Sequence, residues 1–356
     1  MIKKIVLVVL ALVVIAMVSI CIWYNTSVSP IKGDDNKYTV EIPMGSGVAT
    51  IAQKLEDEGL IKSGLAFRIY VKLNNVSNFQ AGKYEMTKNM SVEEIIKLLQ
   101  TGKVASEDVI SITFVEGKNM RWVAKKIAET TNNTEQDVYS LLENEEYIDS
   151  LIDKYWFITD EIKNKDIYYP LEGYFFPDTY QFENKDVEVQ KIFETLLNQM
   201  EKKLNTYKTE IQSSEYTVHQ ILSAAAIIEN EAVFDKDRKD VSSVIYNRLK
   251  ANMAIQSDVT TYYAFKIDMG ERDLFASELN TYNAYNTRGP NMAGKLPVGP
   301  ISMIGISSIE AAIKPTNTSY LYFVADKNGN VFFTNTYEEH LQKVNDLKNS
   351  GQWIEF

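Results

Sequence analysis

From Ile5 to Trp23 the chain reads IVLVVLALVVIAMVSICIW without a charge, after Lys3 and Lys4 and before Tyr24. About 20 apolar residues in a helix match the hydrocarbon thickness of a bilayer, so positions 5–24 are expected to form one transmembrane helix. Trp23 and Tyr24 suit its interfacial belt, and the two lysines hold the tail, 1–4, in the cytoplasm. The catalytic or binding portion would then lie on the outer face of the cell membrane. A cleaved signal peptide is the competing reading, but the run exceeds the usual ~7 to 15 residue core and no A-x-A site follows it. Residues 25–37 are polar, with Pro30 and Gly33, and read as a linker.

Beyond the linker the pattern alternates between strand and helix periods. YTVEI (Tyr38 to Ile42) precedes PMGSG and an amphipathic stretch with Val48, Ile51, Ala52 and Leu55 at helical spacing. KYEM (Lys83 to Met86) precedes TKNMS and VEEIIKLLQTG, where Ser91 and Glu94 form a capping-box pattern and Gly102 stops the helix. VISITFVEG (Val109 to Gly117) precedes KNMRWVAKKIAE. Three strand-turn-helix units predict an α+β chain of small modules: one over 38–104, a second module or junction over 105–185, and a mixed α/β domain over 186–356. Helices are predicted over Val187 to Leu204 and Val218 to Val233, and Asn328-Gly329 between YLYFV and VFF predicts a final hairpin. The aromatic stretch Tyr168 to Phe182 reads mainly as packing, with a sugar-stacking surface as the alternative.

Composition narrows the chemistry. The chain has 48 acidic and 37 basic residues in 356, a net charge of −11, so phosphates repel it and nucleic acid is excluded as a partner. Cys21 is the single cysteine and His219 and His340 are the two histidines, too few for a Cys- or His-built metal centre. No metal and no cofactor are expected; carboxylates, amides, hydroxyls and lysines must do the work. GPNMAGKL (Gly289 to Leu296) nearly fits a phosphate loop, but Leu296 lacks the hydroxyl that would hold Mg²⁺.

The most suggestive stretch is HQILSAAAIIENEAVFDKDRKDVSSVIYNRL, His219 to Leu249. Ile221 to Ile228 is apolar almost all round and should be buried, and Glu229 and Glu231 follow at its end. A carboxyl at the edge of an apolar pocket is disfavoured as a charge and is thereby prepared to donate a proton. On the pattern alone both read as solvated glutamates following a core helix, with Glu229, on the side of Ala225 and Ala226, the better placed of the two. Downstream, NMAIQSDVTTYYAF, NAYNTRGP and KLPVGPIS offer the neutral polar lining that fixes sugar hydroxyls and acetamido groups.

Taken in order, LEGYFFPDTY, IIENEA, VSSVIYNRL, MAIQSD, YNT at Tyr285 to Thr287, LPVGPI, YLYFVAD and EEH at Glu338 to His340 resemble the membrane-anchored endolytic murein transglycosylases of the MltG (YceG-like) type, over roughly Tyr38 to Asn345. The resemblance implies a membrane helix, a LysM-like module over 38–104 and a catalytic domain over 186–356. It implies cleavage of the MurNAc-GlcNAc bond within nascent peptidoglycan glycan strands, leaving 1,6-anhydro ends and terminating strands. It also implies partnership with peptidoglycan synthases, the penicillin-binding proteins. Carried over by motif, the catalytic glutamate is Glu229, and Gln256, Asp258, Tyr285 and Asn286 are the substrate-binding positions. The chain departs from the pattern at Val259, Arg288, Val298, Val331 and in the longer loop from Gly289 to Lys295. Two rivals stand beside this reading: a muramidase with Glu231 or Asp258 as second carboxylate, and a non-catalytic wall-binding scaffold for the synthases.

Overall fold

The computed structural model describes residues 2–31, 36–43, 45–101, 109–232 and 234–353, with the side chains of 2–11 and 13 excepted. The chain divides into two compact units, Met1–Val109 and Ile110–Phe356. It is α+β: helices dominate, and the strands among the described residues form three two-stranded antiparallel sheets. No parallel pair occurs among them, so the mixed α/β character expected of residues 186–356 is replaced by helices around one hairpin.

The first unit opens with the helix Ile2–Val28. Among the described residues no helix is long and apolar enough to cross a membrane; of the expected span 5–24, the side chains up to Ala11 and that of Val13 lie outside them. The strands Tyr38–Ile42 and Gly82–Met86 pair antiparallel, Tyr38 opposite Met86 and Ile42 opposite Gly82. The first two strand-turn-helix units are therefore halves of one sheet. Val40, Ile42, Tyr84 and Met86 alternate onto a core shared with Ile51, Leu55, Phe67, Ile95 and Leu99. Ser91 accepts from the Glu94 N–H and donates to its carboxylate, the reciprocal cap that starts the helix Val92–Thr101. A helix not anticipated from the pattern, Gly64–Leu73, lies between the strands, capped by Ser63. Gly102 and the expected boundary at 104 lie outside the described residues.

The second unit contains the third strand, Ile110–Thr113, paired antiparallel with Thr179–Phe182. Between them come the helices Met120–Thr130, Glu135–Leu142 and Glu145–Lys154. One apolar core joins these to everything downstream: Ile112, Phe157, Tyr174 and Phe193 share it with Ala225, Ile228, Tyr285 and Ile309. Residues on both sides of position 185 thus build a single body. The aromatic stretch is chiefly packing, since Leu171 to Phe176 are all buried. The hairpin Tyr322–Ala325 and Val331–Thr334 forms as expected, turning at Gly329 with φ +78°.

At the centre runs the helix Val218–Glu231, capped by Thr217, whose hydroxyl accepts from the Gln220 N–H while the Gln220 side chain returns the bond. Every residue from Val218 to Ile228 is buried except Gln220 of the cap, which is half-buried. An apolar helix wrapped on all sides is held by burial and fixes its own end rigidly, at about 25 cal/mol per Å² of apolar surface removed from water.

Candidate active site

Three polar residues leave the end of this helix in three directions, as the ~100° step between helical positions requires. Glu229 accepts the Gly305 N–H at Oε2, 2.9 Å, and its Oε1 lies 3.3 Å from Arg238 Nη2. Asn230 donates to Ala226 O and Ser302 Oγ, both at 2.8 Å. Glu231 accepts a 2.6 Å bond from Ser257 Oγ on the other side.

The Glu229 side chain is 5% exposed and that of Arg238 10%. Gly305 is the N-cap of the helix Ile306–Ile313, so its N–H points out of a helix start toward the carboxylate. Arg238 begins the helix Arg238–Lys250 and is fixed besides by Asp235, 2.9 Å, and by Ser308. A carboxyl enclosed by an apolar helix end, one peptide N–H and one guanidinium can release a proton and be steadied as the anion left behind.

The positions Gln256, Asp258, Tyr285 and Asn286 gather on the Glu231 side. Asp258 pairs with Arg288 and both act on Glu231, whose carboxyl is held above its ordinary value first by burial, against the pull of Ser257. Arg288, a departure from the family pattern, thus finds its partner in an expected site residue. Gln256 is exposed, at φ +58°, with its N–H on Thr287 O. Among the described residues no hydrogen bond or ion pair joins any of the four to Glu229. Tyr285 and Asn286, two of the expected substrate-binding positions, are 0% exposed. Asn283 Oδ1 accepts the Tyr285 N–H and turns the loop inward. Tyr285 then packs between Tyr168 and Tyr263. The Asn286 amide donates to Glu278 O and Thr281 O and accepts from Thr261 and the Arg288 N–H. These two residues brace the loop from within.

Sequence reasoning missed Arg238, Gly305 and Glu116. Arg238 lies nine residues after Glu229 among other charges, and a glycine before an apolar helix is commonplace, so neither carried a local signal. Glu116 was legible only as the end of a strand.

Two buried groups support the site. His219 Nε2 donates to Val298 O and its Nδ1 accepts from Tyr174 Oη, and burial lowers its pKa, so the neutral ring is a strut. Glu172 of LEGYFFPDTY is 2% exposed and accepts from the Met120 N–H and Tyr263 Oη, both 2.9 Å. Burial pushes its carboxyl up to about 7. A carboxyl raised in the folded state contributes stability in its protonated form, fully below the unfolded value and lost as pH climbs through about 7. Glu172→Gln is therefore expected to flatten the fall of melting temperature between about pH 4.5 and 7; an unchanged slope in a thermal scan across that range would count against this account. Among the described residues no cluster of three or more His, Cys, Asp or Glu is placed to hold a metal.

The geometry defines a class: an α+β protein whose buried core helix ends in two enclosed carboxyls facing different sides, Glu229 toward Gly305 and Arg238 and Glu231 toward Ser257. The YceG-like family model matches residues 40–346. A protein named endolytic murein transglycosylase from Bacillus subtilis (strain 168) is 39% identical over 313 residues, covering 86% of this chain and 84% of that one. A protein of the same name from Streptococcus pneumoniae serotype 2 (strain D39 / NCTC 7466) is 32% identical over 343 residues, 91% of this chain, which spans 61% of that relative's length. The crystal structure of a YceG-like protein from Listeria monocytogenes superposes with a TM-score of 0.61 at 36% identity, covering 87% of this chain and all of that one. The chain belongs to the YceG-like family.

Proposed function

We propose that this chain is an endolytic murein transglycosylase, cleaving the β-1,4 bond between MurNAc and GlcNAc within peptidoglycan strands, with Glu229 as its acid and base. The observation that carries the assignment of Glu229 is its enclosure: 5% exposed, one oxygen on the Gly305 N–H and the other toward Arg238. Protonated Glu229 delivers its proton to the glycosidic oxygen as the bond to the muramic anomeric carbon breaks. The cationic sugar is closed by its own 6-hydroxyl, whose proton passes to the Glu229 carboxylate. The proton is returned, water is not consumed, and a 1,6-anhydro end results. Ordinary glycosidases need a second carboxylate as nucleophile or as base for water; here the substrate's hydroxyl takes that part.

The rest of the reading is architectural. The charge-free run Ile5 to Trp23 within the helix Ile2–Val28 supports a single-pass anchor with the remainder on the outer face. The strand-helix-helix-strand order of the first unit supports a LysM-like, glycan-gripping module over 38–104. Anchorage near the polymerising enzymes favours nascent strands as substrate, strand termination as the outcome and the synthases as partners. Deleting residues 1–28 is expected to move the protein from the membrane to the soluble fraction of lysed cells; retention in the membrane fraction would argue against the anchor.

The reaction is tested by digesting purified glycan strands with the full chain in detergent and reading product ends by mass spectrometry. Anhydro ends support the proposal. Reducing ends would make it a muramidase, and intact strands from folded protein would favour the scaffold.

A further inference from the structure

Across Gly305 from Glu229 stands a second carboxylate. Glu116 opens the turn after the strand Ile110–Thr113, and this turn is pinned to the site by its backbone: Gly117 N–H donates to Met303 O, 2.9 Å, and Met303 N–H to Lys118 O, 2.8 Å. Gly117 has φ +73°, and a β-carbon there would lie 3.5 Å from Asn230 Oδ1, so the turn also rests against the end of the carboxylate helix. A β-carbon on Gly305 would overlap Glu116 Oε1 and stand 3.0 Å from Oε2. The same glycine's N–H holds Glu229 Oε2. One small residue therefore separates two acids 113 positions apart by their numbering.

We propose that Glu116 is a positioning residue for proton transfer: its carboxylate, set against Gly305, acts with Glu229 as a pair that holds one proton, and so fixes how far into alkaline pH Glu229 can still donate. The inference rests on the transglycosylase reading above. Its physical basis is that like charges sharing a site cannot both ionise freely. The charged groups acting on Glu116 are Glu229, Arg238 and Asp235, so a single guanidinium stands among three carboxyls. Partial burial and then the Glu229 charge raise the Glu116 carboxyl, against the pull of Arg238. Glu229 is enclosed while Glu116 is exposed, which divides the labour: Glu229 meets the glycosidic oxygen, and Glu116 opposes loss of the pair's proton to solvent. In turnover that proton goes to the leaving oxygen, and the proton of the 6-hydroxyl restores it.

The test is the pH profile of anhydro-end formation by the full chain in detergent, for the unmodified protein, Glu116→Gln, Glu116→Asp and, as the blank, Glu229→Gln. Removing the neighbouring negative charge makes the remaining carboxyl easier to ionise, so the alkaline limb of Glu116→Gln is expected to move toward acid by about one pH unit, a roughly tenfold loss of rate above the limb. KM should be little changed. Glu116→Asp keeps the charge but retreats by one methylene and should show a smaller shift of the same sign, which keeps the test informative if the Gln variant does not fold. An unmoved limb in the folded variants, or a raised KM with an unmoved limb, overturns the proposal while leaving the activity intact. Absence of anhydro ends from the unmodified protein would instead overturn the function on which it rests.

Discussion

Glu229→Gln should lower glycan cleavage by about 10²- to 10⁴-fold, the range set by loss of a positioned general acid, with the fold retained. The substitution keeps shape and length but provides no transferable proton. Both oxygens of Glu229 face donors, the Gly305 N–H at 2.9 Å and Arg238 at 3.3 Å. A Gln side chain can satisfy one through its carbonyl and must turn its NH₂ toward the other. Arg238 keeps Asp235 and Ser308 as partners, so the cost in stability is expected to be on the order of 1 to 3 kcal/mol, that of one unmet buried polar contact. Thermal unfolding and steady-state cleavage measured on the same preparation separate the two effects. Cleavage within tenfold of the unmodified protein would place the acid elsewhere.

The largest expected effect on stability lies at Gly173→Ala. Gly173 sits at φ +77°, and its missing β-carbon would overlap Pro300 Cβ, reach 2.9 Å from Pro300 Cγ and 3.2 Å from Ser302 O. A left-handed alanine costs about 1 to 2 kcal/mol, and forcing a carbon into a closed contact with a rigid ring adds about 1 to 3 kcal/mol. At roughly 2 to 4 °C per kcal/mol for a body of this size, the melting temperature should fall by about 5 to 15 °C. The contact also matters to the site, because the segment from Pro300 leads directly to Gly305. Surviving folded protein should cleave more slowly, since any retreat of that segment draws the Gly305 N–H away from Glu229. An unchanged melting temperature would show that the two motifs are not in contact.

The sequence was most informative where a residue's neighbours are local. The Ser91 and Glu94 cap, the Asn328-Gly329 turn and the apolar helix ending at Glu229 all follow from chemistry within a few positions, and each is present in the structure. It was least informative where partners are distant. That Tyr38–Ile42 and Gly82–Met86 pair with each other depends on the intervening helices packing beneath them, which periodicity does not encode. The direction of Tyr285 and Asn286 depends on the Asn283 turn and on acceptors at Glu278 and Thr281, so a motif of polar residues looked like a surface and became a buried brace. Arg238 reaches Glu229, and Glu116 reaches Gly305, through tertiary packing alone. A resemblance to known proteins could supply the name of the acid, but not the charges that surround it.

The most direct test of the account is to run the cleavage in heavy-oxygen water and weigh the new ends. The 6-hydroxyl mechanism predicts anhydro-muramic ends that carry no solvent oxygen, formed by the unmodified chain and absent with Glu229→Gln. Reducing ends labelled from the solvent would contradict it, because they require water, and hence a second carboxylate, where this account has the sugar attack itself.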